Sequence, residues 1–302
     1  MYPPRLQRRA TILGSAAACI TAEHSQTSAA PISCPDLTAA PPLGLSPSDQ
    51  ERHCIFLLLA MALVFDGWGV NRRRPDLLKA YVQVEPDRSF PDYLGHNVGA
   101  LLVDSRDRIV CFALNRNVAL NSTLEHAEMR SVRGAIEIAN AARPASDMPP
   151  WSFGKLLQSD RLYATLEPCA QCAGVLDLAN IGSIIYGQDD PGQRHIVNVL
   201  YNLHHHEGDD PGAPLPIRAD FLPLFDELTQ ANRDFRGSAA RGSPSGLTAF
   251  LETVEAYRIY RQASHMFATM RVEDHGNLAV LDQARTFRTR WQGRVQAGFV
   301  PV

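Results

Sequence analysis

The sequence has little of what defines several common classes of protein. Six cysteines in 302 residues are too few for a disulfide framework at this length. A charged fraction of 20% and a net charge of −3 exclude a broadly basic nucleic-acid-binding protein and an acidic disordered chain. The apolar run IFLLLAMALVF at residues 55–65 is shorter than the roughly 20 residues that a membrane-spanning helix needs. We therefore expect a globular protein in which any contact with a polyanion is local.

The first 48 residues differ in composition from the rest of the chain. Arg5, Arg8 and Arg9 precede a weakly apolar stretch, no acidic residue occurs before Glu23, and a segment rich in Pro, Ser and Ala follows. This pattern is typical of an export or transit leader. The arginine pair resembles a twin-arginine signal, although the Phe and Lys usual in that motif are missing. The alternative is a disordered arm on a cytoplasmic protein.

Apolar periodicity predicts an α/β domain over residues 49–236. Its first helix covers residues 49–66, with Ser48 or Asp49 as the N-cap. A β-hairpin is expected at residues 98–104 and 109–115, followed by a helix from residue 125 to about 142. A strand at 161–167, a helix from residue 168 and a strand at 183–187 come next. The domain is expected to end with a strand at 215–221 and a helix up to about residue 236. A strand, a helix and a strand in succession imply parallel pairing with a right-handed crossover.

Residues 237–302 are expected to form a linker and a helical C-terminal extension. The segment GSAARGSPSG at residues 237–246 has the composition of a flexible linker. Two helices are predicted after it, over residues 247–270 and 278–294, and neither carries a catalytic signature.

Two short stretches together have the composition of a metal site, HAE at residues 126–128 and PCAQC at residues 168–172. A catalytic zinc ion takes three protein ligands and keeps its fourth position open for water. Cys169 and Cys172 project from one turn at the start of a helix, where the helix dipole favours thiolates. His126 supplies the third ligand from the start of another helix. The sequence therefore predicts a zinc site with these three ligands.

Glu128 is predicted to be the proton carrier of this site. It lies two residues after His126, so it cannot point the same way along a helix, and it makes a poor fourth ligand. A carboxylate beside the open position can take a proton from water and deliver it to a leaving group. A structural zinc site would need a fourth protein ligand, and a redox cysteine pair would leave His126 and Glu128 without a role. The pattern favours hydrolytic chemistry.

The same residues carry a family resemblance. HAE followed by PCAQC is similar to the H-x-E and P-C-x-x-C signature of the zinc-dependent cytidine deaminase superfamily, whose mechanism is established for zinc deaminases in general. The stretch at residues 162–192, LYATLEPCAQCAGVLDLANIGSIIYGQDDPG, resembles the tRNA adenosine deaminase branch. Residues 100–117, ALLVDSRDRIVCFALNRN, resemble the first hairpin of that branch.

The resemblance implies a three-layer α/β/α fold with a central mixed sheet and a homodimeric assembly. It implies that His126, Cys169 and Cys172 bind Zn²⁺ and that Glu128 shuttles protons. Asn115 and the backbone of Ala127 stand where the family contacts the substrate. The implied reaction is hydrolytic removal of an exocyclic amine from cytosine, adenine or guanine. RNA or single-stranded DNA editing and a non-catalytic zinc-binding partner subunit are the alternatives, and an idle subunit would not need Glu128.

The size of the substrate depends on the interpretation of residues 283–302, where four arginines alternate with Phe287 and Trp291. Arginines between aromatic residues can hold phosphates and stack on bases. However, Phe287, Trp291 and Val295 also recur at steps of four residues, which is typical of a helix docked on a core. We favour docking, and hence a nucleoside or nucleobase over a polynucleotide.

If the leader directs export, the mature protein is expected to begin after about residue 22, as a cleaved signal requires. The double change Arg8→Lys and Arg9→Lys should then retain the protein in the cytoplasm. Fractionation of the native host and N-terminal sequencing check this. Intact protein that begins at Met1 and is confined to the cytoplasm would favour the disordered arm.

Overall fold

The computed structural model describes residues 36–71, 95–117, 120–142, 152–206, 213–238 and 246–296. Residues 1–35 of the predicted leader and most of the segment that joins the first helix to the hairpin therefore lie outside the described residues. Residues 36–48 of that leader are described, and the carbonyls of Leu37, Thr38 and Ala39 accept hydrogen bonds of 2.8–2.9 Å from the side chains of Asn198 and Asn202. Within the described residues, one mixed sheet has the strand order β2-β1-β3-β4-β5. Its strands are β1 (Gly99–Val103), β2 (Ile109–Leu114), β3 (Arg161–Leu166), β4 (Ser183–Gln188) and β5 (Leu215–Arg218).

The pairing of the strands follows from their connections. β1 and β2 form the predicted antiparallel hairpin, and β1 also pairs antiparallel with β3. β3, β4 and β5 run parallel, because each successive pair is joined by a segment that contains a helix. The predicted parallel pairing of β3 and β4 is confirmed. The carboxyl end of β3 is the point from which the cysteine pair begins.

Helices cover both faces of the sheet. The helices are α1 (Pro47–Asn71), α2 (Ala127–Ala142), α3 (Ala170–Leu178), α4 (Ile196–His206), α5 (Leu224–Ser238), α6 (Leu247–Phe250), α7 (Val254–Thr269) and α8 (Leu278–Gln296). On one face, the centroids of the Phe56 ring in α1 and the Tyr163 ring in β3 lie 4.9 Å apart. On the other face, Ser131 of α2 donates a 2.8 Å hydrogen bond to the carbonyl of Ala100 in β1. The expected three-layer α/β/α arrangement with a mixed sheet is confirmed.

The first helix is longer than predicted and begins earlier. The Oγ of Ser46 accepts a 3.1 Å hydrogen bond from the N–H of Asp49, so Ser46 is the N-cap and the prediction of Ser48 or Asp49 was wrong. Pro47 then occupies the first helical position, where its missing N–H costs nothing. The run at residues 55–64 is fully buried, because α1 is enclosed by the sheet and by α7 and α8. None of the helices in the described ranges is long and apolar enough to cross a membrane.

Glycine at position 187 brings α5 close to the sheet. A Cβ atom at Gly187 would overlap the ring of Phe225, which is buried in the first turn of α5. The absent side chain therefore allows α5 to pack directly on β4. This places the polar residues of α5 beside the loop that follows β4.

The C-terminal segment is less regular than the sequence suggested. The single helix predicted over residues 247–270 is interrupted at residues 251–253, and that prediction was wrong. The Oγ1 of Thr253 accepts a 3.1 Å hydrogen bond from the N–H of Ala256 and so caps α7. Leu251 and Glu252 are turned into the protein, with exposures of 0% and 3%. The break in the helix lies at these two buried residues, directly before the Thr253 cap.

The predicted docking of the last helix is confirmed. Trp291 of α8 is only 6% exposed, and its indole N–H donates to the carbonyl of Leu63 in α1 at 3.1 Å. Its ring meets the Phe112 ring edge-on at 5.2 Å. Arg288 makes two hydrogen bonds to the Asp66 carboxylate, at 2.8 and 2.9 Å. Trp291 is thus part of the core, and Phe287 packs against it.

We expect Trp291→Ala to lower the free energy of unfolding by about 3–5 kcal/mol, because it opens a cavity between α8, α1 and β2. Arg290→Ala, an exposed position on the same helix, should change it by less than about 0.5 kcal/mol. Chemical denaturation of the two variants measures both values. An equally small loss for Trp291→Ala would contradict the docked arrangement.

Candidate active site

The three predicted metal ligands come from the starts of two helices. His126 directly precedes α2, and its carbonyl accepts the N–H of Arg130 at 3.0 Å in the first turn. Cys169 occupies the N-cap position of α3, and its carbonyl accepts the N–H of Ala173 at 2.8 Å. Cys172 lies one turn later and is buried. The positive ends of two helix dipoles therefore point at one place, as expected.

The structure brings the three ligand atoms together. The Nδ1 atom of His126 lies 3.5 Å from the sulfur of Cys169 and 3.5 Å from the sulfur of Cys172. The two sulfurs are also 3.5 Å apart, and both cysteines are free thiols rather than a disulfide. One imidazole nitrogen and two sulfurs at equal spacing form a donor set typical of a zinc ion with an open fourth position.

The pKa of the Cys169 thiol shows that this cluster stabilises a thiolate. The hydrogen bond from Cys172, supported by His126, lowers the pKa of Cys169 to about 4. The pKa of Cys172 is raised, because its proton is shared with the Cys169 sulfur and the group is buried. The pKa of His126 is also raised, chiefly by its hydrogen bond to Cys169. A divalent cation would replace the shared proton and allow both sulfurs to be thiolates, so the residues fit zinc.

Glu128 lies in the first turn of α2 with an exposure of 3%. Burial raises its pKa to about 7, and the nearby charge of Cys169 acts in the same direction. The Cys172 thiol forms a hydrogen bond to the carboxylate. A carboxyl group with a pKa near neutrality can both accept and donate a proton. The predicted position of Glu128 beside the metal ligands, without membership of the ligand set, is consistent with this environment.

Asn115 and Ala127, the predicted substrate contacts, lie together. The side-chain Oδ1 of Asn115 accepts a 2.7 Å hydrogen bond from the backbone N–H of Ala127. Asn115 follows β2 and is 4% exposed. The hydrogen bond joins the end of the hairpin to the start of α2, next to His126. Contact of either residue with a substrate stays a prediction.

Sequence reasoning missed a buried carboxylate that precedes the cysteine pair. Glu167 is 1% exposed, and its Oε2 accepts the N–H of Asp190 at 3.0 Å. Its Oε1 lies 3.8 Å from Nδ1 of His195. Asp189 is also close, but it accepts a 2.8 Å hydrogen bond from Arg218, so we interpret this cluster as a clamp on the loop after β4 and not as a second metal site. The sequence signal was its place directly before Pro168 and Cys169.

The C-terminal segment also reaches the surroundings of the site. Asn97 donates a 3.1 Å hydrogen bond to the carbonyl of Leu251, and Nδ1 of His96 lies 3.6 Å from Oε1 of Glu252. Burial, with a contribution from the charge of His126, lowers the pKa of His96 to about 4. No sequence pattern linked residues that are so far apart along the chain.

Comparison with known proteins shows what this chain is similar to. Residues 76–188 match the family model described as the cytidine and deoxycytidylate deaminase zinc-binding region. The chain is similar to the tRNA-specific adenosine deaminase of Agrobacterium fabrum, with 35% identity over 95 residues that cover 31% of this chain and 53% of that protein. The protein of the same name from Aquifex aeolicus is 28% identical over 127 residues, 42% of this chain and 72% of that protein.

The chain spans about half the length of several curated relatives that it matches. Solved structures give more distant likenesses. One, from studies of A-to-I editing by tRNA:A34 deaminases, has 28% identity and a TM-score of 0.31 and covers 40% of this chain and 77% of that chain. A guanine deaminase from Bacillus subtilis has 20% identity and a TM-score of 0.27, with coverage of 47% and 69%.

We expect Cys169→Ser to lower both the zinc content and the melting temperature, because binding of a metal to the folded state stabilises that state. Cys54→Ser should keep the wild-type zinc content, since Cys54 lies on α1 and belongs to no cluster of candidate ligands in the described residues. Metal analysis and thermal denaturation, with and without a chelator, measure both effects. Full zinc content and unchanged melting of Cys169→Ser would remove Cys169 from the ligand set.

Proposed function

We propose that this chain, whose residues 76–188 match the zinc-binding region of cytidine and deoxycytidylate deaminases and which is similar to tRNA-specific adenosine deaminases, is a hydrolase that removes an exocyclic amine from a nucleobase. The observation that carries the proposal is the triangle of ligand atoms with 3.5 Å sides and the buried Glu128 carboxylate beside it. That combination supports hydrolysis better than it supports a structural metal site or a redox pair.

The residues divide the chemistry between them. His126, Cys169 and Cys172 would hold the zinc ion. When bound, zinc lowers the pKa of water so that water can attack carbon at neutral pH. Glu128 accepts the proton that water loses and delivers it to the departing nitrogen. The water oxygen becomes bonded to the ring carbon, the carbon–nitrogen bond breaks, and ammonia leaves.

Burial of Glu128 supports the role of proton carrier. Its carboxyl group is shielded from bulk water at the start of α2, and its pKa of about 7 lets one group act first as base and then as acid near neutral pH. A partner subunit that only binds zinc would have no use for a buried, titratable carboxylate in this place. We therefore favour an active enzyme over the idle subunit.

The docked C-terminal helix supports a small substrate. Arg288 is committed to Asp66, and Arg285 donates a 2.6 Å hydrogen bond to the carbonyl of Met270. Two of the four arginines that could have held a polyanion therefore have internal partners. An RNA or single-stranded DNA editing deaminase remains the competing function, with the same reaction on a base within a strand.

We expect Glu128→Gln to lower kcat by at least about 100-fold while the zinc content stays at the wild-type level, because the change removes the proton carrier but no ligand. Glu137→Gln is the matched control, since Glu137 is an exposed carboxylate on the same helix. Ammonia release is measured with bases, nucleosides, nucleotides, tRNA and single-stranded DNA, together with metal analysis.

Two outcomes would contradict the proposal. Substantial activity of Glu128→Gln on the true substrate would mean that another group carries the proton. A zinc-loaded wild-type protein that releases ammonia from no compound in the panel would favour the non-catalytic subunit. Sequence changes in tRNA or in single-stranded DNA, without activity on small compounds, would favour the editing function.

A further inference from the structure

A cavity of about 470 Å³ lies between the loop after β4 and α5. Four of its lining residues, Thr229, Asn232, Arg233 and Arg236, come from α5. Their spacing of three, one and three residues places them on one face of that helix. Neither the sequence patterns nor the proposed zinc chemistry gives this face a role.

Two buried polar atoms on this face lack a partner. Thr229 and Asn232 are 8% and 2% exposed, and the Oγ1 of Thr229 and the Oδ1 of Asn232 have no hydrogen-bond partner in the described structure. Buried polar groups in folded proteins are nearly always hydrogen-bonded, since an unpaired one is costly. Polar side chains that are buried, unpartnered and at the wall of a cavity point to a ligand that the cavity holds.

The charge of the cavity selects an anion. Arg194, Arg233 and Arg236 are exposed at its rim, and none of them forms an ion pair with an acidic side chain in the described ranges. The lining also contains two carboxylates. Asp189 accepts a 2.8 Å hydrogen bond from Arg218, and Asp190 accepts one of 2.8 Å from the backbone N–H of Gly192. A backbone N–H does not neutralise Asp190, so three guanidinium groups face one carboxylate that lacks an ion pair in the described ranges, and the net charge of the lining is positive.

The loop that lines the cavity is hydrogen-bonded to the segment that carries Cys169. The N–H of Ala170, the residue after Cys169, donates a 3.0 Å hydrogen bond to the side-chain oxygen of Gln193. The N–H of Asp190 donates a 3.0 Å hydrogen bond to Glu167, two residues before Cys169. The loop that forms one wall of the cavity is thus tied to the chain on both sides of Cys169.

We propose that this cavity binds the phosphate of a mononucleotide substrate whose base enters the metal centre. The inference rests on the proposed function and specifies its substrate class. Guanidinium groups bind phosphate through paired hydrogen bonds. The Thr229 hydroxyl can donate to the same anion, and so can the Asn232 amide once its two ends are exchanged by a rotation.

A mononucleotide fits the observations better than a strand does. The volume of about 470 Å³ lies in the range of pockets for small ligands. A strand would need a longer basic track along the protein surface. The net charge of −3 and the internal partners of Arg285 and Arg288 give this chain little of that kind.

The test measures binding separately from turnover. Zinc-loaded Glu128→Gln, which should not consume its ligand, is titrated with adenosine, cytidine and guanosine, with their 5′-monophosphates, and with single-stranded RNA pentamers that contain each base. One monophosphate should bind about ten-fold tighter than its nucleoside or better, because charged hydrogen bonds to phosphate are strong. Adding Arg233→Gln and Arg236→Gln should abolish this preference and leave nucleoside affinity within about two-fold.

The matched control is Arg261→Gln with Arg290→Gln, which removes two exposed arginines outside the cavity. It should keep the preference for the monophosphate. The proposal is overturned if no monophosphate binds tighter than its nucleoside, if the preference survives the cavity variant, or if a pentamer binds tighter than every monophosphate.

The wild-type assay separates this proposal from the one on which it rests. If the protein releases ammonia from a nucleoside and the cavity variant has no effect on the 5′-monophosphate, the proposed phosphate site is wrong and the proposed deaminase activity stands. If the preference for the monophosphate depends on Arg233 and Arg236 but the protein releases no ammonia, the proposed deaminase activity is wrong and the proposed phosphate site stands.

Discussion

The metal centre depends on two helices that begin at the same place. A sulfur pair held at 3.5 Å from one imidazole nitrogen requires that α2 and α3 start side by side at the ends of their connecting segments. The hydrogen bond between Asn115 and Ala127 fixes the start of α2 to the hairpin. The anchoring of Ser131 to Ala100 fixes the same helix to the sheet. The position of Cys169, at the end of β3, fixes the start of α3.

Local sequence patterns predicted most of this arrangement, because the ligands sit where strands and helices meet. Proximity of HAE and PCAQC followed from chemistry, since neither stretch holds enough ligands alone. The predictions that were wrong concerned where helices begin and end. The cap of α1 shifted to Ser46 because Pro47 can occupy the first turn, and the helix predicted over residues 247–270 is interrupted where Leu251 and Glu252 are buried and Thr253 caps α7. Burial of that sort depends on partners distant in sequence.

The surroundings of the centre could not be predicted for the same reason. Glu167 is adjacent to the cysteine pair in sequence, yet its function as a clamp depends on Asp190 and His195, which reach it only through the β4 loop. The face of α5 that lines the cavity carries Thr, Asn and two Arg, a composition typical of any solvated helix. Only the position of the neighbouring loop distinguishes this face from ordinary surface.

The packing of Phe225 against Gly187 gives the protein a single point at which the position of α5 relative to β4 can be adjusted. The gap between α5 and β4 is as narrow as a residue without a side chain permits, so any larger residue at position 187 has to push α5 outward. Such a displacement would widen the cavity and carry its arginines away from the zinc ligands. The spacing between the metal ligands and the proposed phosphate site would then change through a substitution at one core position. Divergence in the size of the accepted substrate could begin there without any alteration of the catalytic residues.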